Sequence, residues 1–245
     1  MNIHVINSNS KGNGYILQSS DNKVLLIEAG VRLAKVKEAL DFDISGIQGL
    51  IASHSHMDHL QFAEDYLKSG ITVYTSLDAI QESGIKSHNF QYIEPKHRYF
   101  IGDYSVVPFD LVHDVRNYGF LIHHPEMGLT CFITDTHYCP YTFPNLNQAI
   151  IEANHDIDIV DAQLLEGKGN VFVRNRSLSG HMEFQTTKKF LKANNLSKVV
   201  NILLIHLSDS GSDEDRFVNE IRELTGKSTF AAKAGMTIPF DKTPF

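Results

Sequence analysis

Four side chains able to bind a metal stand within six residues of this sequence, in the run His54-Ser55-His56-Met57-Asp58-His59. The run follows the apolar stretch Leu50-Ile51-Ala52, which reads as the end of a buried strand. In extended backbone, residues two apart point to the same side, so His54 and His56 can share one ion. Asp58 and His59 then open a predicted helix, and the turn before it lets this second pair converge on a neighbouring ion. Imidazole and carboxylate ligands suit zinc, and also manganese, iron or nickel. A solvated loop that is histidine-rich by accident has no reason to place four ligands directly behind an apolar run.

The cluster supplies too few ligands for two ions, so the reading demands further His and Asp downstream. Three residues meet that demand. His113 ends the stretch Pro108-Phe-Asp-Leu-Val-His, Asp135 ends Cys131-Phe-Ile-Thr-Asp, and His206 ends Asn201-Ile-Leu-Leu-Ile-His. Each lies just past an apolar run, where strand ends gather around a cleft. A single such residue would more simply be a cap, but three in company with the cluster favour ligation. Cys131 reads as core filler.

Positioning these residues takes strands that end together. Strands are predicted over residues 1–8, 14–20, 23–30 and 47–54, with a helix over 31–40 between the last two. A helix over 58–68, a strand over 71–76 and a short helix over 77–83 follow. Residues 99–114 form a strand pair or one long bent strand, and 118–136 a hairpin turning at 125–128. The last third holds a helix over 183–194, a strand over 198–209 and a helix over 213–224. Asp213 is the N-cap of that helix and Gly226 its stop, before a terminal strand at 228–238. Strands and helices mixed in this order predict packed sheets with helices outside, a layered α/β architecture.

The chain has 245 residues, of which 42% are hydrophobic and 21% charged, the balance of an ordinary globular protein. Without repeats, low-complexity tracts or a Pro/Ser-rich linker, residues 1–245 are expected to form a single domain. No apolar run approaches the roughly 18 residues of a membrane span, and no leader pattern opens the sequence, so a cytoplasmic location is expected. Two cysteines, Cys131 and Cys139, are too few for a disulfide framework. The net charge of −7 argues against a broad basic surface for long DNA, while a short substrate or a chain end fits it better.

The segments LLIEAG, SHSHMDH, LVHD, ITDT and LLIHLSD, taken in order, resemble the metallo-β-lactamase superfamily over nearly the whole chain. Glu28 stands where that family usually carries Asp. The resemblance implies a four-layer αββα sandwich with two divalent ions at one edge, Zn or Mn, with Fe or Ni as further candidates. It implies His54, His56 and His113 on the first ion, Asp58, His59 and His206 on the second, and Asp135 bridging them. Ligation by His and Asp alone looks more like the phosphodiesterase and nuclease branches than the zinc β-lactamases. NSNSKGNGYIL, IEANHD, RSLSGHMEF and IHLSD are similar to segments of the YycJ/WalJ-type proteins, linked to exonuclease activity. Gly180-His181-Met182-Glu183 departs from the Gly-His-Leu-Ser of that group, and His137 stands where a Gly is common.

A binuclear metal-dependent hydrolase is therefore expected, with a bridging hydroxide as nucleophile. Its substrate would be a nucleotide or nucleic acid end, short or single-stranded, and a homodimer is a candidate assembly. Asp58 could orient the nucleophile as well as ligate. His181 is the candidate leaving-group acid or phosphate contact, against a bland reading as a helix-start residue without chemistry. His155 is a candidate substrate contact, with a structural hydrogen bond equally open. Arg174 and Arg176 could grip phosphate, or form a solvated basic turn. An acyl hydrolase acting on a lactone, thioester or β-lactam is the alternative enzyme, and a non-catalytic metal-binding module a third reading.

Overall fold

The computed structural model describes residues 1–168 and 180–243. Arg174 and Arg176 lie outside the described residues. Two seven-stranded sheets face each other. The first contains β1 (Asn2–Asn9), β2 (Gly12–Gln18), β3 (Val24–Ile27), β4 (Ile47–Ile51), β5 (Val73–Thr75) and β6 (Phe90–Tyr92) in sequence order, with β14 (Thr237–Pro239) beside β1. The second contains β7 (Tyr99–Ile101), β8 (Tyr104–Leu111), β9 (Asn117–His124), β10 (Gly128–Ile133), β11 (Leu146–Glu152), β12 (Asn201–Ile205) and β13 (Ser228–Ala231). Each sheet is antiparallel on one side and parallel on the other: β3 to β6 run parallel, and so do β10 to β13.

The period-2 pattern of the strands divides the apolar residues into three layers. Tyr15, Leu17, Leu25 and Ile27 point between the sheets, where they meet Phe120, Phe132, Ile150, Leu203 and Ile205. Their neighbours Ile16, Val24 and Leu26 point outward, onto α1 (Leu33–Ala39), α2 (Met57–Leu60) and α3 (Ala63–Lys68). On the far side Ala149, Ile151, Ile202 and Leu204 face α6 (Phe184–Ala193) and α7 (Glu214–Thr225), whose Phe184 and Phe217 rings stack at 3.8 Å. The expected αββα sandwich is the observed fold. Two helices complete the described elements, α4 (Leu77–Ser83) after β5 and α5 (Ile157–Leu165) after β11.

The structure departs from the sequence reading in three places. The helix expected over 58–68 is broken into α2 and α3. Ala29 holds the break open by donating its N–H to the His59 carbonyl and accepting from the Phe62 N–H. The terminal strand expected over 228–238 is two strands in different sheets, β13 and β14. Between them Gly235 takes φ 81°, and its N–H bonds back to Val5 of β1. Strands β6 and β11 were not foreseen; β11 is parallel-paired on both sides and buried, so its sequence Leu-Asn-Gln-Ala-Ile-Ile-Glu lacks the alternation of a half-exposed strand.

Strand direction places the site. Parallel strands of one sheet end at the same edge, and β8, two antiparallel steps from β10, runs the same way as β10. The residues after β3, β4, β8, β10, β11 and β12 therefore converge on one rim of the sandwich.

Candidate metal centre

His54, His56, His113, Asp135 and His206 sit within a few residues of such a strand end, and Asp58 and His59 follow in α2. Three of the turning residues, Glu28, Asp135 and His206, have φ of 67°, 48° and 54°. This left-handed conformation is uncommon for side chains with a Cβ, and it persists only where the surroundings over-determine it. At all three it ends a strand and swings an ionisable side chain towards the same point.

All seven expected ligands come together there. His54, His56, His113 and Asp135 have ligand atoms within 4.8 Å of one another, as do Asp58, His59, Asp135 and His206. Asp135 belongs to both sets. Its Oδ1 accepts from the Thr134 hydroxyl at 2.8 Å and faces His206 Nδ1 at 2.8 Å. Its Oδ2 lies 3.2 Å from His59 Nε2 and 3.8 Å from His54 Nε2, between the two sets.

Neighbouring groups fix which nitrogen each ring presents. Ser53 Oγ lies 2.8 Å from His54 Nδ1, leaving His54 Nε2 buried without a hydrogen-bond partner. His206 Nδ1 sits 3.0 Å from Glu152 Oε1, and His206 Nε2 lies 3.4 Å from Asp58 Oδ2 without forming a hydrogen bond. A buried polar atom left unpaired costs about 1–3 kcal/mol. A cation accepting these lone pairs removes that cost, so the donor set fits divalent metal ions. Glu28, fully buried, receives the Ser53 N–H at 3.2 Å and lies 3.3 Å from His59 Nδ1. Its Oε1 faces that ring nitrogen without forming a hydrogen bond, which places Glu28 behind an expected ligand.

The ionisable side chains of the centre face one another as paired charges. Burial works against charge on His59 and His206, yet Asp135 and its neighbours outweigh it and raise both pKa values well above the ordinary imidazole range. Burial likewise opposes ionisation of Asp58 and Asp135. The facing imidazoles prevail, His206 foremost, and hold both carboxyls below their usual range. His54 is the exception: desolvation, then the charge on His59, lowers its pKa.

The ligands open into a cleft of about 650 Å³. His181 lines it, and His181 Nδ1 is 2.8 Å from Glu152 Oε1. Glu152 Oε2 accepts the N–H groups of Thr136 and Met182 at 3.1 and 3.0 Å, so one buried carboxylate orients both His181 and His206. Sequence reasoning missed Glu152, although it too ends an apolar run, Ala149-Ile150-Ile151. It assigned no role to the Asn13 side chain, whose buried amide donates to Asp58 Oδ2 at 3.3 Å. His155, expected at the cleft, is instead fully buried beside Asn154 and does not line it.

No curated protein matches the chain. Solved structures do, among them YhfI of Bacillus subtilis, a metallo-beta-lactamase fold protein. It superimposes with a TM-score of 0.75 at 18% identity, over 97% of this chain and 98% of that one. Human tRNase Z, short form, gives 0.63 at 15% over 98% and 99%. A diphosphatase from the PhnP family gives 0.67 at 13% over 98% of each. Identities this low establish the fold alone. The sequence profile of the metallo-beta-lactamase superfamily matches residues 9–139, more than half of the 245 and inclusive of His54 through Asp135. With that match and the fold in agreement, the chain belongs to the metallo-beta-lactamase superfamily.

Proposed function

We propose that this protein is a binuclear metal-dependent phosphodiesterase acting on a nucleotide or a short or single-stranded nucleic acid end. The observation that carries the reading is His181 at the cleft, held by Glu152 beside two ligand sets that share Asp135. A pair of divalent ions, zinc or manganese by ligand type, would lower the pKa of an attacking water and offset charge on the phosphoryl oxygens.

The side chains supply the rest. Asp58 Oδ2, kept ionised by its imidazole neighbours, can accept a hydrogen bond from the attacking water and aim it. As the P–O bond breaks, the leaving oxygen needs a proton. His181 can give it: Nδ1 bonds to Glu152, so Nε2 is free to serve the cleft. Burial opposes charge on His181, but Glu152 raises its pKa overall, which favours the protonated ring. Asn154, Ser10 and Ser208 line the same cleft and offer neutral donors to phosphate oxygens.

The likeness to a tRNase and a diphosphatase supports phosphorus over carbon as the reacting centre. The resemblance of NSNSKGNGYIL, IEANHD, RSLSGHMEF and IHLSD to segments of YycJ/WalJ-type proteins supports a nucleic acid end. Val112 and Leu207 bring apolar surface to the cleft, which favours an acyl substrate as the second reading. Turnover of bis(p-nitrophenyl) phosphate, cyclic nucleotides and single-stranded oligonucleotides, beside lactone and thioester substrates, separates the two. Phosphodiester cleavage is expected from the metal-loaded protein, with kcat falling about 100-fold in His181→Ala, the scale of a lost general acid. Acyl turnover with no phosphodiester cleavage would overturn the proposal.

A further inference from the structure

Asp114 stands against the first ligand set, although it is not among the expected ligands. Its Oδ1 is 3.1 Å from His113 Nε2 and 3.5 Å from His56 Nε2. Consecutive residues of an extended strand point to opposite faces. Here β8 has ended at Leu111 and the chain bends over residues 113–115, which brings the side chains of His113 and Asp114 to one side. Asp114 is 70% exposed at its side chain and lines the cleft, so it reaches this position from the solvent side. The nearby Arg116 does not draw it away, being paired with Asp110 at 3.2 Å and near Asp78 at 3.9 Å.

The two ligand sets differ in charge. The second holds two carboxylates, Asp58 and Asp135, whereas the first has three imidazoles and only the shared Asp135. We infer that Asp114 is an additional oxygen ligand of the first ion, completing that set from the cleft side. The inference rests on the reading that His54, His56, His113 and Asp135 hold an ion. It adds a second carboxylate to a set of three imidazoles. Carboxylate oxygen favours manganese relative to zinc, whereas imidazole suits zinc well. Asp114 therefore sets which ion the first site retains. The competing account is an exposed ion pair between Asp114 and two imidazoles, which would contribute little and disappear once an ion sits on those rings.

Metal titration of the demetallated full chain separates these accounts, with Mn2+ followed by its electron paramagnetic resonance signal and Zn2+ by calorimetry. In wild type two ions of either metal are expected to bind. In Asp114→Asn one of the two Mn2+ affinities should fall about 10–100-fold, the range for losing a group that supports a metal site, with a smaller loss for Zn2+. Asp114→Glu should recover most of the Mn2+ affinity. Asp114→Asn with wild-type Mn2+ and Zn2+ affinities overturns the assignment while leaving the binuclear reading intact. Wild type that binds neither metal overturns both. An equal loss for the two metals, unrecovered by Asp114→Glu, also overturns it.

Discussion

At the scale of single residues, the centre is a set of side chains whose charges compensate one another without cations. His59 and His206 carry raised pKa values because Asp135 and its neighbours face them, so metal binding has to displace their protons. Apparent metal affinity should therefore fall as pH is lowered. Calorimetry in buffers of differing ionisation enthalpy should record proton release on loading, whereas buffer-independent heats would contradict the pairing. Glu28 and Glu152 act from behind the ligands. Glu28→Gln should weaken metal binding about 10–100-fold with the fold retained, as measured by equilibrium dialysis alongside circular dichroism. Removing a ligand has a different signature. His56→Ala, at a partly exposed ring, should abolish hydrolysis with little change in the melting temperature of the demetallated protein. Full activity in that variant would remove His56 from the site.

At the scale of elements, what the sequence made legible was the strand end. His113, Asp135 and His206 were found because each terminates a recognisable apolar run, and the structure gathers all three. Glu152 obeys the same rule and was overlooked, because β11 is buried on both faces and shows no alternation to announce a strand. The break between α2 and α3 was hidden for another reason. It is imposed by the backbone of Ala29, thirty or more residues away in sequence, and nothing near Gln61 signals it. The caps were plainer. Asp213 accepts the Arg216 N–H and Gly226 ends the helix at φ 66°, as expected from residue type. Asp213→Ala should cost about 1 kcal/mol, with hydrolysis unchanged. Phe184→Ala should cost more, about 3–5 kcal/mol by chemical denaturation, since it empties the stack against Phe217 beneath the outer helices. Equal costs for the two would place α6 outside the packed core.

For the molecule as a whole, two facing sheets with outer helices give a rim where parallel strands end together. Only that shared rim makes one centre out of residues as distant as His54 and His206, and no spacing in the sequence reveals the convergence. Among the described residues, no helix is long and apolar enough to cross a membrane. The expected ligands come from both sheets: β4 carries the loop of His54 to His59, while β8, β10 and β12 carry His113, Asp135 and His206. Ions held between the sheets should therefore stabilise the sandwich as a unit, raising the melting temperature with the logarithm of free metal concentration above the dissociation constant. The central claim is that this rim holds two ions. Metal content per chain, measured by plasma mass spectrometry after loading with zinc or manganese and desalting, tests it most directly. Close to two ions per chain is the expected result, and fewer than one would contradict the account.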